Sequence, residues 1–240
     1  MPNLAMPSPA EIAAFYKQVA DPELFTRHVL GHNHWRVPRE IMRSVAVPRS
    51  RTAVKACHAS SKTYTAADIA VWWVVNGGIA ITTAPKWTQV KDVMWRQIHS
   101  TYKDAEERGF PLGGRLNLTE WRISEDCYAI GMATNQGVRF QGWHGLILVL
   151  LDEAPGVVAE IFEAIEGMRS GGDVRILALG NPTIATGTFF DAFGSKRSGW
   201  RTFTIDAFDT PNFDEIAKLA GYAHGVSDPA KIADPDAAVG

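Results

Sequence analysis

Three short stretches carry side chains whose types and spacing suit phosphate chemistry. The first is Ala56-Cys57-His58-Ala59-Ser60-Ser61-Lys62-Thr63. It keeps the spacing of a P-loop, with Ala56 and Ser61 where glycines are usual. A tight loop between a strand and a helix points its backbone N–H groups inward, and with the helix N-terminus these hold phosphate oxygens. Lys62 would neutralise β- and γ-phosphate charge, and Thr63 would place a hydroxyl on Mg²⁺. Small residues at 56, 59, 60 and 61 keep the loop narrow, although Ser61 tolerates fewer backbone conformations than glycine. The bland alternative is a polar strand-to-helix turn with a capping serine.

The second stretch is the apolar run Leu146 to Leu151 followed by Asp152 and Glu153. A buried strand ending in two carboxylates supplies the other half of such a site, Asp152 supporting the Mg²⁺ shell and Glu153 polarising the attacking water. The alternative is that the pair caps a helix starting near Pro155, since acidic residues favour helix N-termini. The third stretch, Leu177 to Thr183, again lies where an apolar strand leaves a sheet. Asn181 could hydrogen-bond the γ-phosphate or the water there; a Gly-Asn-Pro turn chosen for its backbone is the competing reading. Both carboxylates and the loop stand at strand C-terminal ends in the proper order, and that conjunction favours an ATP and Mg²⁺ site over separate caps and turns.

The elements that must position these residues are legible along the chain. Ser8-Pro9-Ala10-Glu11 is a capping box opening a helix to about Val19, and a His- and Pro-rich loop follows through His32, His34 and Pro38. Strands are predicted over 51–56, 79–84, 146–151, 174–179 and 200–205, with a hairpin of 116–124 and 128–134 around Glu125-Asp126. Helices are predicted over 62–75, on the stripe Trp87, Val90, Met94, Ile98 and Tyr102, and on Val158, Ile161, Ile165 and Met168. Strands alternating with helices give an α/β fold, a mostly parallel central sheet flanked by helices on both faces. The chain of 240 residues reads as a single ATPase domain over 1–207, followed by an Ala-, Asp- and Pro-rich linker or lid segment of doubtful order over 208–240.

Bulk properties narrow the class. The composition, 46% hydrophobic and 21% charged, is that of an ordinary globular protein. No apolar run is long enough to cross a bilayer and no secretory signal is apparent, so a cytoplasmic location without membrane contact is expected. Two cysteines make a disulfide framework an unpromising reading. A net charge of -2 places any DNA contact on a local patch, a ring of subunits or another part of the protein.

Thr52 to Thr63 resembles the Walker A segment of phage large terminase subunits. Ile81 to Val90 resembles the segment after their second strand, Leu151 to Gly156 their Walker B with its catalytic Glu, and Leu179 to Pro182 their coupling motif. The resemblance covers roughly residues 30 to 212. It implies an additional-strand P-loop NTPase fold and an ATP-hydrolysing motor that moves double-stranded DNA into a capsid. It also implies a homo-oligomeric ring (a monomer in isolation), with the capsid portal and the small terminase subunit as partners, in the cytoplasm of the infected host cell. Family members carry a basic residue inside the P-loop, where this chain has His58; Lys55 could share that role. No Gln matches the family's adenine contact near Trp35 and Arg39. A ring calls for a cation from the neighbouring subunit, and Arg139 is the candidate, against a plain surface arginine. No second α/β unit follows the motor motifs, so nuclease chemistry is not expected of this chain.

Other signals read as structural. His28, His32 and His34 match no common zinc spacing and read as ordinary loop histidines. Cys57 could be a stabilised thiolate but reads as a small packing residue. Trp72 and Trp73 could stack on bases but read as core or interface. Two competing functions stay open: a helicase-like P-loop nucleic-acid motor, and a non-hydrolysing docking or assembly module of the packaging complex.

Overall fold

A computed structural model describes residues 19–133, 143–195 and 197–212. The opening helix from Ser8 lies outside them apart from its last predicted residue, as does the chain beyond Asn212. Five parallel ladders form the frame. β1 (Arg51–Ala56) pairs with β7 (Gly172–Gly180) on one side and β8 (Arg201–Ile205) on the other. β6 (Gly145–Leu151) lies between β7 and β2 (Ile79–Ala84), and β5 (Tyr128–Ala133) continues beyond β2. Two short antiparallel strands, β3 (Arg115–Asn117) and β4 (Glu120–Arg122), finish that edge, giving the order β3-β4-β5-β2-β6-β7-β1-β8. The additional strand is thus β7, inserted between β1 and β6.

Strand alternation sends side chains to two cores. Val54 and Ala56, Leu148 and Leu150, and Leu177 and Leu179 face one. That core is covered by α2 (Arg36–Ala46), α3 (Lys62–Val75) and α4 (Arg96–Glu107). Ala53, Ile147, Val149, Leu151, Val174, Ile176 and Ala178 face the other, under α5 (Ala159–Met168) and the short α6 (Thr188–Asp191). Strands buried on both faces read as unbroken apolar runs, which is why 146–151 and 174–179 stand out in sequence. α3 is nearly all round apolar and every residue from Thr65 to Val74 is buried.

Three sequence expectations need correction. The stretch read as a loop through Pro38 is largely helical: α1 (Pro22–Phe25) runs into a π-helical turn over Thr26–Leu30, and α2 starts at Arg36. Asp21 caps α1 by accepting from the N–H groups of Glu23 and Leu24, with Pro22 at the first helical position. Pro38 sits in the first turn of α2, where its missing N–H has no intrahelical partner to lose. Second, 116–124 is two strands rather than one. β3 and β4 form a hairpin of their own around Leu118 and Thr119, whose carbonyl accepts from Gly131 N–H at 2.9 Å. The expected turn at Glu125-Asp126 then joins β4 to β5. Third, Trp87 is not on the buried stripe. Val90, Met94 and Ile98 are buried, whereas Trp87 is 43% exposed. Trp87 opens a short helical turn over Trp87–Gln89, and a π-helical turn over Val90–Trp95 separates it from α4.

Candidate functional site

β1, β7 and β6 are sheet neighbours, so the segments leaving their C-terminal ends lie side by side. After Ala56, the Cys57 N–H still donates to Ile205 O of β8 at 2.9 Å, which extends the strand one residue into the loop. The backbone then turns through two left-handed residues, Ala59 at φ 56° and Ser61 at φ 62°. Ser61 therefore adopts the conformation for which glycine is usual, and Ala59 adds a second such residue, each at about 1–2 kcal/mol of backbone cost. Ser60 is buried, and its hydroxyl donates across the loop to Cys57 O at 2.9 Å. Lys62 folds back over the loop, with Nζ donating to the same carbonyl at 3.4 Å. Ser61 is the N-cap residue of α3, yet its side chain makes no capping hydrogen bond. The capping-serine reading fails on this point. The first-turn N–H groups of a 14-residue helix keep their anion-binding capacity. Thr63 is half-buried in that first turn.

Asp152 follows β6 and extends its pairing, with its N–H on Thr83 O at 2.9 Å. Its carboxyl is buried, and Oδ1 accepts from the Glu153 N–H at 3.0 Å. Burial first, and the Glu153 charge second, push the Asp152 carboxyl up from 3.8 to about 6; the Glu153 N–H and Lys62 pull the other way without cancelling this. A buried acid so short of positive charge is chemically matched to a cation. Glu153 is left-handed at φ 48° and leads into a single turn over Ala154–Gly156, whereas α5 starts only at Ala159 behind Val158. Glu153 is the N-cap residue of the turn that holds Pro155, but its side chain makes no capping hydrogen bond, and the N-cap of α5 is Val158.

Asn181 follows β7 and is 7% exposed. Its Nδ2 donates to His58 Nε2 at 2.8 Å, joining the third strand end to the loop, while its buried Oδ1 has no hydrogen-bond partner among the described residues. Gly180 before it is required by contact rather than by turn: an added Cβ would lie 2.3 Å from Pro155 Cδ. The turn after β6 is therefore packed closely against the end of β7.

Lys55 Nζ lies 5.0 Å from the centre of the Phe193 ring. Burial pushes the Cys57 thiol up despite the opposing Lys62 charge, which fits a packing residue and not a thiolate. Arg139 lies outside the described residues. Trp72 and Trp73 are core residues, edge to face at 5.7 Å, as expected. Sequence reasoning missed Asn212, whose Nδ2 donates to Ala59 O at 3.1 Å, and Asp68, wholly buried on α3. A lone acid in an Ala-rich helix was the available signal for Asp68; nothing in the sequence pointed to Asn212.

The chain is 31% identical over 211 residues to the probable large terminase subunit of Enterobacteria phage P7. It belongs to the phage large-terminase family. The match covers 76% of this chain, and the chain spans 41% of that terminase's length. No family profile matches the chain. Among solved structures, the large terminase ATPase domain of Thermus phage P74-26 superposes with a TM-score of 0.60 at 18% identity, covering 80% of this chain and 88% of that one. The large terminase of a thermophilic bacteriophage, solved in complex with ADP, gives a TM-score of 0.50 at 10% identity over 79% of this chain and 44% of that one. The chain thus shares the P-loop NTPase fold of these terminase domains.

Proposed function

We propose that this terminase chain hydrolyses ATP and couples the reaction to movement of double-stranded viral DNA into a capsid. The observation that carries the reading is the insertion of β7 between β1 and β6, which sets Lys62, Asn181 and the Asp152-Glu153 pair at three adjacent strand ends. In this reading the backbone from Ala56 to Ser61 cradles the phosphates, and Lys62 leaves Cys57 O to neutralise the terminal ones. Thr63 and Asp152 would hold Mg²⁺, which would supply positive charge against the phosphates. Glu153 accepts the proton of the attacking water. Asn181 offers its partnerless buried amide oxygen to that water, while His58 holds the amide from the other side. The α3 N-terminus, where the Ser61 side chain makes no capping hydrogen bond, and the raised Asp152 carboxyl both fit this pair of ligands. A cation from a neighbouring subunit completes the charge balance, with Arg139 the candidate, so activity requires a ring. The portal, the small terminase subunit and the host cytoplasm follow from the same role.

Mg²⁺-dependent ATP turnover across a protein concentration series tests this, beside Lys62→Ala and Glu153→Ala. Turnover that rises with concentration and is lost in both variants supports the motor and a trans-acting residue. Nucleotide binding without turnover at any concentration points to a missing ring partner. A chain that binds no nucleotide would be a docking module, and the ATPase reading would be withdrawn.

A further inference from the structure

The two histidines dismissed as loop residues meet beneath the phosphate loop. Asp68, wholly buried two turns into α3, accepts from three side chains. These are His32 Nδ1 at 2.9 and 3.0 Å, His34 Nε2 at 2.7 Å, and the Thr101 hydroxyl of α4 at 3.0 Å. The other ring nitrogen of His32, Nε2, lies 3.2 Å from Asp104 Oδ2, also on α4. A neutral imidazole has one N–H, so both contacts of His32 are hydrogen bonds only when the ring carries two protons. The Tyr64 ring, one residue after Thr63, packs against both imidazoles, with centroids 4.7 Å from His32 and 5.1 Å from His34. The segment 32–34, α3 and α4 are thus joined through one charged ring and one buried carboxylate.

We propose that His32 and His34 are positioning residues: through Asp68 and Tyr64 they fix the first turns of α3, and so the phosphate loop, and the hold depends on the His32 proton. The nucleotide consequence rests on the reading of Lys62 and Thr63 given above; the positional claim does not. Burial pulls the His32 pKa down, but hydrogen bonds and charge from Asp68 and Asp104 outweigh it and hold the ring above its ordinary 6.5. A folded value above the unfolded one means that the contribution is complete below 6.5 and is lost as pH rises through the folded value. The other charged groups around the ring come from every packed element. Glu23, Arg27 and Arg39 line the small recess beside it, and Arg108, after α4, lies over Gly31.

The test uses the full chain. Imidazole nitrogen NMR, assigned with His32→Gln, reads the His32 protonation state, and hydrogen exchange, expressed as protection factors, reads the amides of 61–66 across the same pH range. Protection of these amides is expected to fall severalfold as His32 loses its proton, with the midpoint moved to lower pH in Asp104→Asn and the step absent in His32→Gln. A structural brace without proton dependence would not move that midpoint. The proposal is overturned if His32 is neutral at pH 6.5, or if protection stays flat through its titration. ADP affinity measured on the same samples separates the two claims. Protection that tracks His32 with no ADP binding removes the ATPase reading and leaves the positioning role standing.

Discussion

Replacing Asp152 by asparagine should make the nucleotide-free protein more stable. Asp152 is 3% exposed. Burial, followed by the adjoining Glu153 charge, raises its carboxyl from 3.8 to about 6. Ionising it in the folded chain therefore costs about two pH units more than in the unfolded chain, or about 3 kcal/mol at about 1.4 kcal/mol per unit. The sign follows from proton counting. Between 3.8 and about 6 the folded state retains a proton that the unfolded state has released, so stability falls as pH rises through that window and the full cost persists above it. Asparagine keeps the shape and an oxygen to accept the Glu153 N–H, but carries no charge to desolvate. Urea unfolding at a series of pH values is the assay. Asp152→Asn should exceed the wild type by up to about 3 kcal/mol at pH 8, with the gap closing toward pH 4. Saturating Mg²⁺ and ADP should reverse the order, because only the wild type gains a cation for its carboxylate. A variant no more stable than wild type at pH 8, or a gap indifferent to pH, would refute the account of Asp152 as a charge held short of its counter-ion.

Three further substitutions probe the strand ends. Glu153→Gln should lower kcat by about 10²–10⁴-fold while ADP affinity by calorimetry stays near wild type; retained turnover would place the proton acceptor elsewhere. Ser61→Gly should raise stability by about 1 kcal/mol, because the left-handed φ of 62° strains any side chain; a lower melting temperature would mean the loop is not held in that conformation. Gly180→Ala should cost about 1–3 kcal/mol in urea unfolding, since its Cβ would press on Pro155 and part β7 from the turn after Asp152; an unchanged midpoint would show that the contact yields freely.

What was legible in the sequence follows burial. Strands buried on both faces leave unbroken apolar runs, so β6 and β7 and the residues just after them, Asp152 and Asn181, were placed correctly from pattern alone. The loop from β1 to α3 was legible through the spacing of Ala56 to Thr63, although the glycines usual in a P-loop are absent. The structure shows why the substitutes are tolerated: Ser61 takes the left-handed conformation itself, and Ser60 and Lys62 close the loop on Cys57 O. Local polarity misled where tertiary contacts decide burial. His32 and His34 look like loop residues because histidine and proline cluster there. Each is buried only because Asp68, more than thirty residues away, and Tyr64 receive them. Asp68 in turn looks like a lone polar residue on a core helix until the donors from 32–34 and Thr101 are counted. Neither half of that network has a short-range signature. Its meaning lies in pairing between distant segments, which one sequence read along its length does not display. The same logic explains the His58–Asn181 contact: two residues singled out separately, at different strand ends, become one unit only when β7 is seen to lie beside β1. The strand order, more than any single motif, turns these scattered polar residues into a site.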